Sequence, residues 1–575
     1  MFVAQTEPMT TDMEPVNRRP ETTIPEGRAL ARLPGVWLAI LAGALLWLAC
    51  PPVTAWLLAW VALVPLILSV TTATRLWQAL WRGYVFGWVY LGAVWYWIGL
   101  TIVAWTQSPI GWAAWFGLTL VMAIFYAVWG GAAWWLARRI PFGGLRLFAL
   151  AAAWVVMEWA RTLGALSMPW AQLSYTQYRF LPILQIADLT GAYGVSFLLA
   201  LVNGAIAAWW QDRREGRRLL AISLTLTVLA GLYGYARLAQ PNGSEDPTLR
   251  TPIQTRRSAH RQTSPLLTVA LMQGNFPVYE TAEDVPRELQ TFEFLTQEAD
   301  NISQYTRRGH PSLYVWSESA APEDALHDPA TRETLTALAR NHHGAVLVGS
   351  RLVDPVTGAE SNASVLFLPN GAEPTVYRKQ QLVPFGEFIP FRRYLPAFLN
   401  ETFHFFDTDV TPGEGATALR IPDLQGGTVA LGPFICYESV YPQYPRTMTR
   451  AGANLLVTQS NDAWFHSRAA MEQHLAAVIL RAIENGRPVA RATTNGITCL
   501  MDARGRILTS VAPDEATFQV YALPLTQEAT LYTRLGDWFV ALCGLIVLGA
   551  SGVGRWALGK PKAQPLLSDN VDGAR

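Results

Sequence analysis

The strongest constraint on this chain is an apolar run that keeps recurring. Between residues 33 and 238 such runs fall at 33–50, 53–70, 83–103, 110–136, 147–157, 183–210 and 219–236, and an eighth lies at 535–554. A helix needs about 20 predominantly apolar residues to cross the hydrocarbon core of a bilayer, and a soluble domain has no means of hiding so many. Composition agrees: 51% of the 575 residues are hydrophobic and 15% are charged, against roughly 25% charged in ordinary soluble chains. The expectation is an α-helical membrane domain of eight spans, seven of them ahead of a long polar stretch and one behind it.

Arginine sorts the loops between these runs. Arg75 and Arg82, then Arg138, Arg139 and Arg146, then Arg213, Arg214, Arg217 and Arg218 alternate with Pro51-Pro52 and residues 105–109, which carry no Lys or Arg. Positive charge stays inside, so the amino terminus is cytoplasmic, the chain is outside after the seventh span, and the eighth returns it. Of 24 tryptophans only Trp316 and Trp464 fall between Pro265 and Thr530, so the others crowd the membrane part as interfacial anchors do. Glu158 and Arg161 are three apart at the end of the short fifth run. They can pair on one helix face or serve a function within the membrane. Asp188, near the outer interface, can cap a helix or line a lipid entry.

The remainder divides by composition. Residues 1–32 are polar and rich in Pro, Thr and Glu, as a disordered cytoplasmic tail is. They precede the membrane domain of 33–238, a linker over 239–265 rich in turn residues, a domain over 266–530, the last span at 535–554 and a cytoplasmic tail over 555–575. Within 266–530, strand-length apolar runs such as LLTVALMQ, AVLVGSRL, ASVLFLPN and ANLLVTQSND alternate with helical stretches at 286–305, 332–341 and 471–485. That pattern is α/β with a covered sheet, and Asn370-Gly371 marks a hairpin.

A net charge of +1 provides no concentrated basic surface, which excludes nucleic acid as the main partner. Cys50, Cys436, Cys499 and Cys543 have no metal-ligand or disulfide spacing, and His342-His343 and His466 with His474 are poorly spaced for a metal. Neither metal nor cofactor is expected. Cys436 nevertheless stands apart, because the apolar run TVALGPFICYESVYP (428–442) breaks at Gly432-Pro433 and ends on its thiol. A lone cysteine there is as a rule a small core hydrophobe. Two other strand ends change that reading: Glu318 in YVWSES and Lys379 in VYRKQQLVPFGEF. Only a thiolate attacks, a carboxylate can take the thiol proton, and an ammonium can favour the anion and later hold an oxyanion. Taken singly, Glu318 is a strand-end ion pair and Lys379 a solvated hairpin charge, and His404, His466 or His474 stays open as a partner for the thiol.

Together the three motifs resemble the nitrilase superfamily, whose Glu, Lys and Cys follow in this order at strand ends of an α/β/β/α sandwich. LVPFGEFIPFR (382–392), ICYES (435–439), QSNDAWF (459–465) and the membrane segment LQIADLTGAYGVSFL (184–198) resemble, within it, the bacterial apolipoprotein N-acyltransferases. The resemblance implies Glu318 as general base, Cys436 as nucleophile, and Lys379 with the backbone N–H of Tyr437 as oxyanion donors. Glu387 and Glu438 would orient Lys379 and the acceptor amine. It implies a monomeric enzyme of the bacterial inner membrane with its catalytic domain on the outer side. Cys436 would take an acyl chain from a phospholipid and pass it to the α-amino group of a diacylglyceryl-cysteine on a lipoprotein. A membrane-anchored amidase and a non-catalytic transporter or scaffold are the alternatives. One departure stands out: after Gln273–Pro277 the family continues into a Lys-Trp motif, whereas 278–286 has no tryptophan, so Phe276 or Tyr279 is expected to take over lipid contact. Asn461, Asp462, Arg487 and Asn495 read first as scaffold groups, the last two within the final pair of strands.

The arginine alternation has a direct test. A reporter active only outside the cytoplasm is expected to work when fused after Pro265 and to fail after Lys560, and the opposite pattern overturns the placement.

Overall fold

The computed structural model describes residues 34–141, 143–240, 266–277, 285–306, 309–321, 323–394, 409–422 and 427–558. The expected amino-terminal tail, nearly all of the linker and of the carboxyl-terminal tail, and Tyr279 lie outside the described residues. The helical part comprises α1 (Gly35–Ala49), α2 (Val64–Thr71), α3 (Leu76–Val94), α4 (Tyr96–Thr106), α5 (Ile110–Arg139), α6 (Gly144–Ala160), the single turns α7 (Leu181–Leu184) and α8 (Ala187–Thr190), α9 (Ala192–Gln211) and α10 (Arg213–Ala239). Among the described residues three helices, α5, α9 and α10, are long and apolar enough to cross a membrane, or four if α3 and α4, bent by 54°, form one broken span. The eight apolar runs therefore do not appear as eight long helices. Run 183–210 is divided because Gly191 adopts φ 69°, a left-handed conformation that no right-handed helix continues through. Run 53–70 is a 3₁₀ turn (Trp56–Trp60) followed by the eight-residue α2.

The polar stretch builds two six-stranded sheets. Its elements are β1 (Leu266–Gln273), α11 (Val285–Tyr305), β2 (Leu313–Val315), α12 (Pro329–Asn341), β3 (Ala345–Val353), β4 (Glu360–Phe367), β5 (Thr375–Arg378), β6 (Leu419–Pro422), β7 (Thr428–Ile435), α13 (Gln443–Arg450), β8 (Leu455–Ser460), α14 (Arg468–Asn485), β9 (Val489–Thr493), β10 (Cys499–Met501), β11 (Ile507–Ser510) and β12 (Thr517–Pro524). The short α15 (Leu531–Leu535) and the apolar α16 (Trp538–Leu558) follow. Strand order is β12-β1-β2-β3-β4-β5 in one sheet and β11-β10-β9-β8-β7-β6 in the other. Each has a parallel centre, β1-β2-β3 and β7-β8-β9, with antiparallel strands outside it. Period-2 alternation decides the layering. Ala270, Met272, Tyr314 and Trp316 pack under α11 and α12, while Val269, Leu271, Leu313 and Val315 join the core shared with the second sheet. Phe276, half-buried, packs on Phe292 at a ring distance of 5.9 Å beside the outer core. The fold class is thus a nitrilase-like α/β sandwich with an apolar helical part, as the strand ends suggested.

Helix α14 joins the two parts. Every residue from Ala469 to Asn485 is buried, because the second sheet covers one side and the helical part the other. Its polar groups are therefore tied internally. Gln473 accepts from the indole N–H groups of Trp97 and Trp170 (3.2 and 2.8 Å) and donates to the carbonyls of Pro51 and Val94 (3.3 and 3.2 Å), which uses its whole hydrogen-bonding capacity. Glu484 pairs with Arg481 at 2.8 Å and accepts the N–H of Ala192, the first residue of α9, at 2.9 Å. Glu158 and Arg161 turn away from each other: Glu158 accepts from the N–H of Leu173 (2.7 Å) and the indole of Trp154 (3.1 Å), and Arg161 donates to the carbonyls of Met168 and Trp170 (2.9 and 2.5 Å). Both residues hold the loop after α6. Asp188 is ion-paired with Arg237 at 2.9 Å and accepts from Tyr233, bracing α10. Arg487 and Asn495 flank β9 instead of lying in strands.

Arg481 and Glu484 are both fully buried, so removing the cation leaves an uncompensated carboxylate. Arg481→Met is expected to cost about 3–5 kcal/mol, read as a lowered Tm of the detergent-solubilised chain, whereas Arg481→Met with Glu484→Leu is expected to recover most of the loss.

Candidate active site

Four strand ends converge. β2 leads through Trp316 and Ser317 to Glu318, β5 to Lys379, β7 to Cys436 and β8 to Asn461. The turn at Glu318 is tight: Ser319 adopts φ 51°, and Gly349 on the neighbouring β3 approaches so closely that a Cβ there would lie 2.4 Å from the Ser317 carbonyl and 2.6 Å from the Glu318 Cα. Beneath the site Gln459 ties the sheets together, donating to the Trp316 carbonyl at 2.7 Å.

Lys379 sits between two carboxylates. Its Nζ lies 3.2 Å from Glu318 Oε1 and 2.9 Å from Glu387 Oε1. Asn362 on β4 donates Nδ2 to the same two oxygens, at 2.8 and 3.0 Å. The remaining oxygens are held by the backbone: Glu318 Oε2 accepts the N–H of Asn461 at 2.7 Å, and Glu387 Oε2 that of Val383 at 2.8 Å. Burial alone would lower the lysine pKa, but the charges of Glu318 and Glu387 outweigh it and hold the ammonium well above its usual range. Glu318 Oε2 keeps one lone pair free, enough to receive a proton.

Cys436 opens a 3₁₀ turn (Cys436–Val440) with φ 48°, a left-handed conformation unusual for a residue with a Cβ. Its exposure is 8%. Burial first, and the Glu318 carboxylate second, push the thiol well above its ordinary pKa, against the opposing pull of Lys379. The resting Cys436 is thus a neutral thiol. Its carbonyl accepts from His474 Nε2 (3.0 Å) and Ser439 Oγ (2.6 Å). Tyr437, next in the turn, donates its hydroxyl to the Ser167 carbonyl at 2.9 Å, as Tyr441 does at 3.0 Å. Its ring stacks 6.5 Å from Trp170, so the loop secured by Arg161 forms one wall of the site.

Of the expected site residues, Glu318, Lys379 and Glu387 share direct contacts, with Cys436 close enough to feel their charges. Glu438 is placed differently. Its carboxylate accepts from the Tyr377 hydroxyl (2.8 Å) and the N–H groups of Gln380 (2.7 Å), Gln381 (3.2 Å) and Ile435 (2.6 Å), so it faces backbone, clamping the Lys379 loop to the cysteine turn. Burial pushes its carboxyl up to about 7 against those donors and Lys379. Among the histidines held open for the thiol, His474 meets the backbone carbonyl of Cys436, His466 follows the turn Asp462–Phe465 at φ 46°, and His404 lies outside the described residues. Asp462 accepts from Arg491 at 2.6 Å and Ser460 at 2.6 Å; burial would raise its pKa, yet Arg491 and His474 hold it well below the carboxylate range. Asn362 had no local signal strong enough to mark it, since β4 pairing brings it in.

Comparison with known proteins covers both parts. The model of the apolipoprotein N-acyltransferase N-terminal domain matches residues 42–205, and that of the carbon-nitrogen hydrolases residues 268–530. The apolipoprotein N-acyltransferase of Geobacter metallireducens is 31% identical over 526 residues, 90% of this chain and 94% of its own length. That of Methylococcus capsulatus is 32% identical, covering 84% of this chain and 90% of the relative. Apolipoprotein N-acyltransferase 2 of Treponema pallidum is 30% identical, covering 76% and 80%.

The close approach at Gly349 makes the position of Glu318 testable. Gly349→Ala must shift the Glu318 turn, and misplacement by about 1 Å costs on the order of 10²-fold. Timed alkylation with iodoacetamide, followed by intact mass, is expected to show Cys436 slowed by that amount.

Proposed function

The chain belongs to the apolipoprotein N-acyltransferase family, and we propose that it carries an acyl chain from a phospholipid to the α-amino group of a diacylglyceryl-cysteine through a thioester on Cys436. The observation that carries this reading is the neutral, buried thiol beside a carboxylate–ammonium–carboxylate cluster, in a sandwich sealed through α14 onto apolar helices.

Each half-reaction uses the same groups. As Cys436 Sγ bonds to the ester carbonyl, its proton passes to Glu318, and the tetrahedral oxyanion is met by Lys379 and the Tyr437 N–H. Collapse breaks the ester C–O bond, and Glu318 returns the proton to the departing lysophospholipid oxygen. A neutral acceptor amine then attacks the thioester. Glu318 takes its proton, a second oxyanion forms at the same place, and the C–S bond breaks as Glu318 gives that proton to Sγ, restoring the thiol and the carboxylate. Glu387 positions Lys379 through their 2.9 Å contact, and Glu438 positions both loops.

For the membrane we propose eight crossings, the sandwich of 266–530 lying on the outer side of the bacterial inner membrane between the seventh and eighth. Support comes from the arginine alternation and from apolar side chains left exposed on α10, such as Leu224, Val228 and Leu232, and on α16, such as Leu545 and Leu548. Helices as short as the 15-residue α1 fall below the ~20 residues of a full crossing and depend on flanking residues for the remainder. A phospholipid donor and a lipidated acceptor both reside in that bilayer.

With phospholipid alone the wild-type chain is expected to gain the mass of one fatty acyl group on Cys436, removable by hydroxylamine. Cys436→Ala gains nothing, Glu318→Gln acylates about 10²–10⁴-fold more slowly, and Lys379→Met slows both formation and discharge. Acyl mass on another residue, or product formed only with both substrates present together, overturns the two-step route.

A further inference from the structure

His474 lies within a few ångströms of the nucleophile and yet is not arranged to take its proton. The ring is fully buried, and its Nε2 faces the Cys436 carbonyl oxygen at 3.0 Å. A carbonyl only accepts, so Nε2 carries the hydrogen and Nδ1 offers a lone pair, which meets the Arg491 guanidinium at 3.3 Å. Asp462 Oδ1 is also 3.3 Å from Nδ1, while Asp462 Oδ2 balances the Arg491 charge at 2.6 Å. Burial and Arg491 hold the imidazole below its ordinary pKa despite Asp462, which keeps it neutral. The same network demands space: a Cβ at Gly496 would lie 2.1 Å from Asp462 Oδ2. Trp170 and Phe465 close the ring in from the sides, at 5.3 and 5.8 Å.

What His474 holds is one end of a peptide plane. The carbonyl of Cys436 and the N–H of Tyr437 belong to the same trans peptide, so they point in opposite directions. Fixing the carbonyl against α14 fixes where the N–H aims. The left-handed Cys436 backbone, φ 48°, would otherwise relax and swing that plane. A hydrogen bond to the carbonyl also polarises the peptide, which strengthens the N–H as a donor.

We propose that His474 is the positioning residue of the oxyanion hole: a neutral Nε2–H donor that aims and polarises the Tyr437 N–H through the peptide it shares with Cys436. This deepens the acyl-transfer reading and rests on it. Ser439 Oγ, 2.6 Å from the same oxygen, is its helper. Because both half-reactions pass through an oxyanion at this place, His474 acts in both and leaves ground-state binding alone.

The test compares His474→Leu, which removes the donor, with His474→Gln, whose Nε2 reaches the same carbonyl. Acyl-enzyme formation from phospholipid and discharge to a synthetic diacylglyceryl peptide are timed by intact mass, alongside Tm. His474→Leu is expected to slow both steps by about 10²-fold, the scale of one lost oxyanion donor, with the dependence on phospholipid concentration unchanged. His474→Gln is expected to stay within about tenfold of wild type. Equal losses in both variants, a loss confined to one half-reaction, or wild-type rates in His474→Leu each overturn the proposal. If His474→Leu fails to accumulate folded, Ser439→Ala replaces it, with a loss of about tenfold in both steps expected and no change counting against the idea. Absence of acyl mass on wild-type Cys436 is a separate result, which refutes the acyl-transfer reading and this inference with it.

Discussion

Everything around the site follows from keeping one ammonium away from water. Lys379 is 1% exposed, and an isolated charge there would cost several kcal/mol even after relaxation. Two carboxylates from separate segments, Glu318 and Glu387, surround it, and the three groups together carry one excess negative charge. That excess is spread over hydrogen-bond donors: the Asn362 amide, the Asn461 N–H and the Val383 N–H. No member is satisfactory alone. Removing any one strands a charge or a lone pair in a dry place, so the strand ends that supply them must arrive together. Burial first, and the Glu318 carboxylate second, raise the Cys436 thiol above its ordinary pKa against the pull of Lys379.

How much of this was legible in the sequence depends on whether a property is local. Cys436 and Glu318 each end a strand-length apolar run, Lys379 follows the short strand after the Asn370-Gly371 hairpin, and the α/β class follows from the repetition of such runs. Local reading failed where a partner comes from far away in the chain. The resemblance implied that Glu438 orients Lys379 and the acceptor amine; its partners are the Tyr377 hydroxyl and the peptide N–H groups of residues 380, 381 and 435, and peptide donors leave no mark in a sequence. Glu158 and Arg161 have the spacing of a helical pair, yet each finds a better partner in the loop that follows. Asn362 was invisible because its role depends on lying opposite Lys379, whose N–H bonds its carbonyl at 2.8 Å. Apolar runs were likewise a good guide to which residues avoid water and a poor guide to helix length, since hydropathy does not register a left-handed glycine such as Gly191.

The helical part contributes more than an anchor. Ser167 presents its carbonyl to both Tyr437 and Tyr441, and Arg161 secures the carbonyls of Met168 and Trp170 in the same loop. Arg481 extends the contact by donating to the carbonyls of Ser439 and Val440 (3.4 and 3.5 Å). The cysteine turn is therefore gripped by β7 at its start, by α14 from behind and by the loop after α6 from the side. Three supports on a five-residue turn explain how a left-handed cysteine persists without a glycine.

The complete burial of α14 bears on how the chain is made. A helix with no wet side has no stable place in a sandwich standing alone: released from α9 and its loop, it would leave the Gln473 amide and the Glu484 carboxylate facing an apolar void. Synthesis runs from the amino end, so residues 35–239 are made before the first strand. The fourth layer of the sandwich is thus completed by contacts from helices that precede it in the chain. Truncation ahead of β1 would thus yield no soluble enzyme, only a sheet with an unfinished back.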